Sequence, residues 1–128
     1  MRQAHRILVV DDNDALRENV SEALELEGYQ VEAVGTGLLA LEALARGPLP
    51  QVVLIDMMMP GMSGPELVAA LRRDPRLSGL KVVLVSGLAP PPGALPVDAV
   101  LGKPFGVADL LRVVERLLPT APRPGALA

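Results

Sequence analysis

Acidic, hydroxyl and amine side chains follow closely behind short apolar runs, and together they suit phosphoryl chemistry. Asp11 and Asp12 follow Ile7 to Val10, Asp56 follows Val52 to Ile55, Ser86 follows Val82 to Val85, and Lys103 stands near the last apolar segment. Three carboxylates brought together raise one another's pKa unless a cation joins them. A small site with oxygen donors alone suits Mg²⁺, which keeps some waters and also binds phosphate. A carboxylate facing such an ion can attack phosphorus and carry an aspartyl phosphate. The Lys103 ammonium, the Ser86 hydroxyl and nearby backbone N–H groups would share the charge spread over three phosphoryl oxygens. Each residue alone has an ordinary explanation. An Asp after a strand caps a helix, Ser86 caps a turn, and a Lys-Pro pair is a loop. Their joint placement at successive run ends carries the argument.

Such residues converge only if the runs are neighbouring strands of one parallel sheet, whose ligands bind outside the carboxyl ends. The runs are apolar at every position and rich in β-branched residues, as strands covered on both faces are. The segments between them have helical spacing. Leu16, Val20, Ala23 and Leu24 form one stripe, with Arg17, Glu18, Glu22 and Glu25 expected outward, and Gly28 supplies a left-handed stop. Val31, Ala33 and Gly35 alternate with polar neighbours as an edge strand would. Thr36 caps a helix carrying Leu38, Leu41 and Leu44 that ends at Gly47-Pro48. Ser63 and Glu66 stand at capping-box spacing before Leu67, Ala70 and Leu71, and Asp74-Pro75 closes that helix. Val107, Leu110, Leu111, Val114, Leu117 and Leu118 follow a 3.6 period. Alternating strands and helices predict a doubly wound α/β domain with right-handed crossovers. Residues 88–96, LAPPPGALP, break the rhythm where a fourth helix is due, because proline removes a donor and bars the α region from its predecessor.

Composition agrees with a single packed domain. The 128 residues are 50% hydrophobic but only 2% aromatic, so Leu, Val, Ile, Ala and Met must build the core. A net charge of −3 argues against a nucleic-acid footprint, and Arg72, Arg73 and Arg76 read as a solvated helix end. Cysteine is absent, which excludes disulfides and thiol chemistry. The apolar run after MRQAHR is too short for a signal peptide or a span, so a cytoplasmic location is expected. Residues 1–118 are expected to form the domain, and 119–128 a flexible tail or linker stub.

The segments ILVVDDND, VVLIDMMMPGMSG, KVVLVSG and LGKPF, in this order, resemble the receiver domains of bacterial two-component response regulators, over residues 5–118. The DMMMPGMSG segment is the most specific of them. The resemblance implies a flavodoxin-like (βα)5 sheet of strand order 2-1-3-4-5, here with the fourth helix shortened or missing. It implies that Asp56 is the phosphoacceptor and that Asp11, Asp12, Asp56 and the Met58 carbonyl hold Mg²⁺. Ser86 takes the family's hydroxyl position and Lys103 its lysine position. Pro60 and Gly64 would shape the loop after Asp56, and the Lys103–Pro104 bond would be cis. The phosphoryl donor would be a histidine kinase or a histidine phosphotransfer protein. The chain would then be a phosphoacceptor with only self-catalysed uptake and loss, not an enzyme.

Two departures concern how phosphorylation is reported. The family usually carries Tyr or Phe three positions before the lysine, where this chain has Val100, and the interval from Ser86 to Lys103 is several residues short. These departures predict an atypical output face that works through the 88–96 segment. Met58 and Leu88, two positions beyond Asp56 and Ser86, cannot orient a hydrolytic water, which predicts slow self-dephosphorylation. One alternative is a degenerate receiver that only binds partners. A remote one is a haloacid-dehalogenase-type phosphatase, in which Asp12-Asn13-Asp14 would supply an Asp-x-Asp signature. A stand-alone receiver or a fragment of a longer regulator is expected, acting through a protein partner, with no direct nucleic-acid or membrane binding.

Overall fold

The apolar runs become the strands of one parallel sheet. The structure, a computed structural model, describes residues 5–87 and 95–118. In chain order the elements are β1 (Arg6–Val10), α1 (Asp14–Leu26), β2 (Gln30–Val34), α2 (Gly37–Arg46), β3 (Val52–Asp56), α3 (Gly64–Arg73), β4 (Lys81–Ser86), β5 (Ala99–Gly102) and α4 (Val107–Leu117). The strand order is β2-β1-β3-β4-β5, as expected, with every pair parallel. Among the described residues there are four helices, none of them between β4 and β5. The proline-rich stretch lies largely outside the described residues, as does the expected tail from residue 119.

Each face of the sheet carries its own core. Leu8, Val10, Val53, Ile55 and Val82 pack with α2 and α3, while Ile7, Val9, Val52, Leu54, Val83 and Val85 pack with α1 and α4. Alternate residues of a strand point to opposite faces, so an apolar run buried at every position is what two covered faces require. β1 and β3 sit centrally, and β3 is buried along its whole length.

The helix ends follow their sequence signals. Asn13 caps α1 by accepting the Leu16 N–H at 3.0 Å, and Thr36 caps α2 through the Leu39 N–H at 3.1 Å. Ser63 and Glu66 form the reciprocal capping box at the start of α3. Gly28, at φ +93°, ends α1 in the left-handed region that only glycine adopts without strain.

Four expectations need correction. In α4 Val107 is 57% exposed, and Val113 joins Leu110 and Val114 on the buried face. In α2 the inward face is Gly37, Ala40, Ala43 and Leu44, and Leu38 is 64% exposed. Small residues let this helix lie close to its neighbours, and Gly37 rests against the Met62 side chain. In β2 the packed positions are Val31 and Val34, while Ala33 is exposed, because an edge strand flanked by helices on both sides contributes one residue to each core. Arg72 is not part of a solvated helix end. Its guanidinium is turned inward onto backbone carbonyls of the α3–β4 connection.

Candidate functional site

Strand order brings the acidic residues together. β1 and β3 are neighbours with Val10 opposite Ile55, so the residues that follow these two, Asp11 and Asp56, emerge at the same rim. One carboxylate oxygen from each of Asp11, Asp12 and Asp56 lies within 4.8 Å of the others. Asp11 and Asp56 are buried, and Asp12 is exposed. On the other side β5 ends in register with β4, Gly102 opposite Ser86, and the Lys103 N–H donates to the Ser86 carbonyl at 2.8 Å. From there the Lys103 Nζ reaches Asp56 Oδ1 at 2.7 Å. The Lys103–Pro104 peptide is cis, as expected.

The electrostatics are those of a crowded acidic site. Burial pushes the Asp11 carboxyl above its ordinary range, and the charges of Asp56 and Asp12 push the same way, against the Asn13 N–H and Lys103. For Lys103, burial alone would lower the pKa. The hydrogen bond and charge of Asp56, with Asp11 and Asp12 behind them, outweigh it and raise the ammonium above its usual value. Oxygen donors alone, clustered with excess negative charge that a single ammonium only partly balances, fit a hard divalent cation such as Mg²⁺.

The remaining expected residues sit around this cluster. Ser86 is buried at the end of β4, and its hydroxyl donates to Met57 Sδ at 3.2 Å. The Met58 side chain, two residues beyond Asp56, is 76% exposed. Gly64 is required by close approach. A Cβ there would lie 2.5 Å from the Asp56 carbonyl oxygen and 2.8 Å from Met57 Cα, so α3 starts directly against the acidic strand end. The Gly64 N–H seals the turn by donating to the Met57 carbonyl at 2.9 Å.

Arg17 was expected to point outward, yet it braces the site. Its guanidinium donates to the Asp11 carbonyl at 2.7 Å and to Asp14 Oδ1 at 2.6 Å, and it lies under Gly35. The Asp14/Arg17 spacing on a helix was the available signal. The phosphatase alternative loses its signature here, because Asp14 turns to Arg17 on the helix surface while Asp56 joins Asp11 and Asp12.

Comparison with known proteins agrees with this geometry. The family model described as the response regulator receiver domain matches residues 7–115. The DNA-binding response regulator MtrA of Mycobacterium tuberculosis is 39% identical over 111 residues, which cover 87% of this chain and 44% of that protein. The sensor kinase CckA of Brucella abortus is 36% identical over 118 residues, covering 88% of this chain and 12% of that one. The chain thus spans less than half the length of these relatives. Among solved structures, the chemotaxis response regulator CheY4 of Vibrio cholerae superposes with a TM-score of 0.83 at 30% identity, covering 91% of this chain and all of that one. The response regulator TrrA of Thermotoga maritima, solved with Mg²⁺ and a beryllium fluoride, gives 0.80 at 32% identity, covering 89% of this chain and 99% of that one. Family match, strand order and acidic rim agree, and this chain belongs to the response regulator receiver domains of two-component systems.

Proposed function

We propose that this chain accepts a phosphoryl group on Asp56 from a histidine kinase or a histidine phosphotransfer protein, and that the modified rim alters its contacts with a downstream protein. The observation that carries this reading is the 2.7 Å pair between Lys103 and Asp56 inside the three-carboxylate cluster. A carboxylate oxygen of Asp56 forms the P–O bond while the P–N bond of the donor's phosphohistidine breaks, and the electron pair leaves with the imidazole. Lys103 and the Ser86 hydroxyl are the groups of this chain suited to take the developing charge on the phosphoryl oxygens. Asp11, Asp12, Asp56 and the Met58 carbonyl would hold Mg²⁺, which offsets negative charge on carboxylates and phosphoryl group alike.

Uptake and loss are self-catalysed in this reading, and the donor supplies the phosphoryl group. Slow loss follows from Met58, whose exposed apolar side chain beside Asp56 cannot orient water. Its expected counterpart Leu88 lies outside the described residues. A Met58→Asn variant is expected to shed label faster, and an unchanged rate would remove this part of the proposal. The output face is atypical because Val100, 42% exposed on β5, stands where the family has a mobile ring. Action in the cytoplasm through a protein partner, without direct nucleic-acid binding by this domain, completes the reading. Among the described residues no helix is long and apolar enough to cross a membrane.

The test is incubation with acetyl phosphate and Mg²⁺, followed by intact mass and mapping. Mass added at Asp56, dependent on Mg²⁺ and absent in Asp56→Asn, is the expected result. A protein that binds neither Mg²⁺ nor a phosphoryl group would instead be a binding module, the reading that the exposed Val100 favours.

A further inference from the structure

Lys103 reaches Asp56 only if β5 is held in one register, and β5 does little to hold itself. It is four residues long, lies at the sheet edge, and buries a single side chain, Leu101. A slip of one residue would turn every side chain to the opposite face and carry Lys103 away from the rim.

The register is fixed outside the strand. Just before β5, the Asp98 N–H donates to the Val82 carbonyl at 2.9 Å, and Asp98 Oδ2 accepts the Val82 N–H at 2.8 Å. One residue thus takes both backbone groups of Val82 and adds a rung below the strand. The same Oδ2 accepts Arg72 Nη2 at 3.0 Å. Arg72 Nε donates to the Pro96 carbonyl at 2.8 Å, and Nη1 to the Ser78 and Leu80 carbonyls, each at 2.8 Å. All three guanidinium nitrogens are engaged. They join the last turn of α3 to the connection before β4 and to the segment that leads into β5. The other end of α3 begins at Gly64, packed on the Asp56 carbonyl. One rigid helix therefore touches the backbone of Asp56 at its start and holds the beginning of the Lys103 strand at its end.

We propose that Arg72 and Asp98 are positioning residues for phosphoryl uptake, locking β5 to α3 and β4 so that Lys103 is presented to Asp56. The proposal rests on the reading of Asp56 as phosphoacceptor. Neither residue touches the reacting atoms, and both act through the reach of Lys103. A planar fork with donors on every nitrogen is what the site uses, so lysine at position 72 cannot replace it.

The test uses the full chain with Asp98→Ala, Arg72→Met and the conservative Asp98→Asn, which keeps an acceptor for the Val82 N–H. Three quantities are read: Mg²⁺ affinity, acetyl phosphate uptake at saturating Mg²⁺, and amide exchange along the sheet. In Asp98→Ala and Arg72→Met, uptake is expected to slow about tenfold, since small misplacement of a catalytic group is costly. Mg²⁺ affinity is expected not to weaken, because Asp11, Asp12 and Asp56 stand at the ends of β1 and β3, away from β5. Exchange is expected to quicken at Leu101 and Lys103 and not at Val9 or Leu54, and Asp98→Asn is expected to restore most of the uptake. Unchanged uptake in folded variants would overturn the proposal. So would a fall in uptake and Mg²⁺ affinity together with faster exchange across all strands, since that is general destabilisation. If Asp98→Ala does not fold, Arg72→Met decides. If the wild type takes up no phosphoryl group while β5 still loosens selectively in the variants, the phosphoacceptor reading fails and the register lock stands.

Discussion

At the residue scale, the site pairs charges that the fold would otherwise avoid burying. Asp11 is held above its ordinary pKa by burial first, so its ionised form opposes folding. A raised carboxyl contributes stability that is present below its unfolded value and lost as pH rises through its folded value. Without Mg²⁺, the protein is expected to lose stability over that window as pH increases. Asp11→Asn is expected to abolish this loss and raise the melting temperature at neutral pH, while weakening Mg²⁺ binding. Melting curves in chelator across pH check both the sign and the window. Lys103 behaves in the same sense at the alkaline end. Its raised pKa means that its contribution persists through the ordinary lysine range and is lost above it. A substitution that removes the ammonium, Lys103→Met, leaves Asp56 buried without its ion pair and is expected to impair phosphoryl uptake more than Mg²⁺ binding.

At the element scale, α3 is the part that joins site to scaffold. Gly64→Ala would place a Cβ against the Asp56 carbonyl and Met57 Cα, backbone that cannot move aside cheaply. It is expected to cost about 1–3 kcal/mol by overpacking and to slow phosphoryl uptake, measured by urea unfolding and by acetyl phosphate labelling. The capping box supplies a pH effect of opposite sign to that of Asp11. Hydrogen bonds from Ser63, backbone first, hold Glu66 below its usual pKa, so its contribution is present above the unfolded value and lost as pH falls through the folded one. Glu66→Gln is expected to flatten the acid side of the stability profile by lowering stability at neutral pH toward its acid value. Ser63→Ala, which removes the acceptor for the Glu66 N–H and one of the hydrogen bonds that favour the ionised Glu66, is expected to cost about 1 kcal/mol at neutral pH and less in acid. These elements were legible in the sequence because caps and apolar runs are local signals. Leu38 misled because a leucine at helical spacing is apolar whether or not it faces the core, while the actual face of α2 sets glycine and alanine beside the expected Leu44. The inward turn of Arg72 was illegible because its acceptors are mostly backbone carbonyls, which no side-chain pattern announces.

At the scale of the whole molecule, topology assembles the site. Order β2-β1-β3-β4-β5 makes neighbours of β1 and β3, which are distant in sequence, and so converts Asp11, Asp12 and Asp56 into one cluster. The family motifs made this order legible. Residue spacing alone shows strand ends but not which strands adjoin, nor that Arg72 and Asp98 meet across the bottom of the sheet. Because the cluster exists only in the folded chain, a cation that binds it must stabilise the fold by mass action. At a free Mg²⁺ concentration of about 100 times its dissociation constant the gain is about 2.7 kcal/mol. The expected result is a melting temperature that climbs with Mg²⁺ and falls back on chelation. The climb should be absent in Asp12→Ala, whose exposed carboxylate can be removed without opening the core. Replacing Mg²⁺ with an equal ionic strength of Na⁺ separates site binding from screening, since screening acts on surface charge generally. A stabilisation that Na⁺ reproduces would mean that the three carboxylates merely repel one another, and the metal role of Asp11, Asp12 and Asp56 would have to be abandoned.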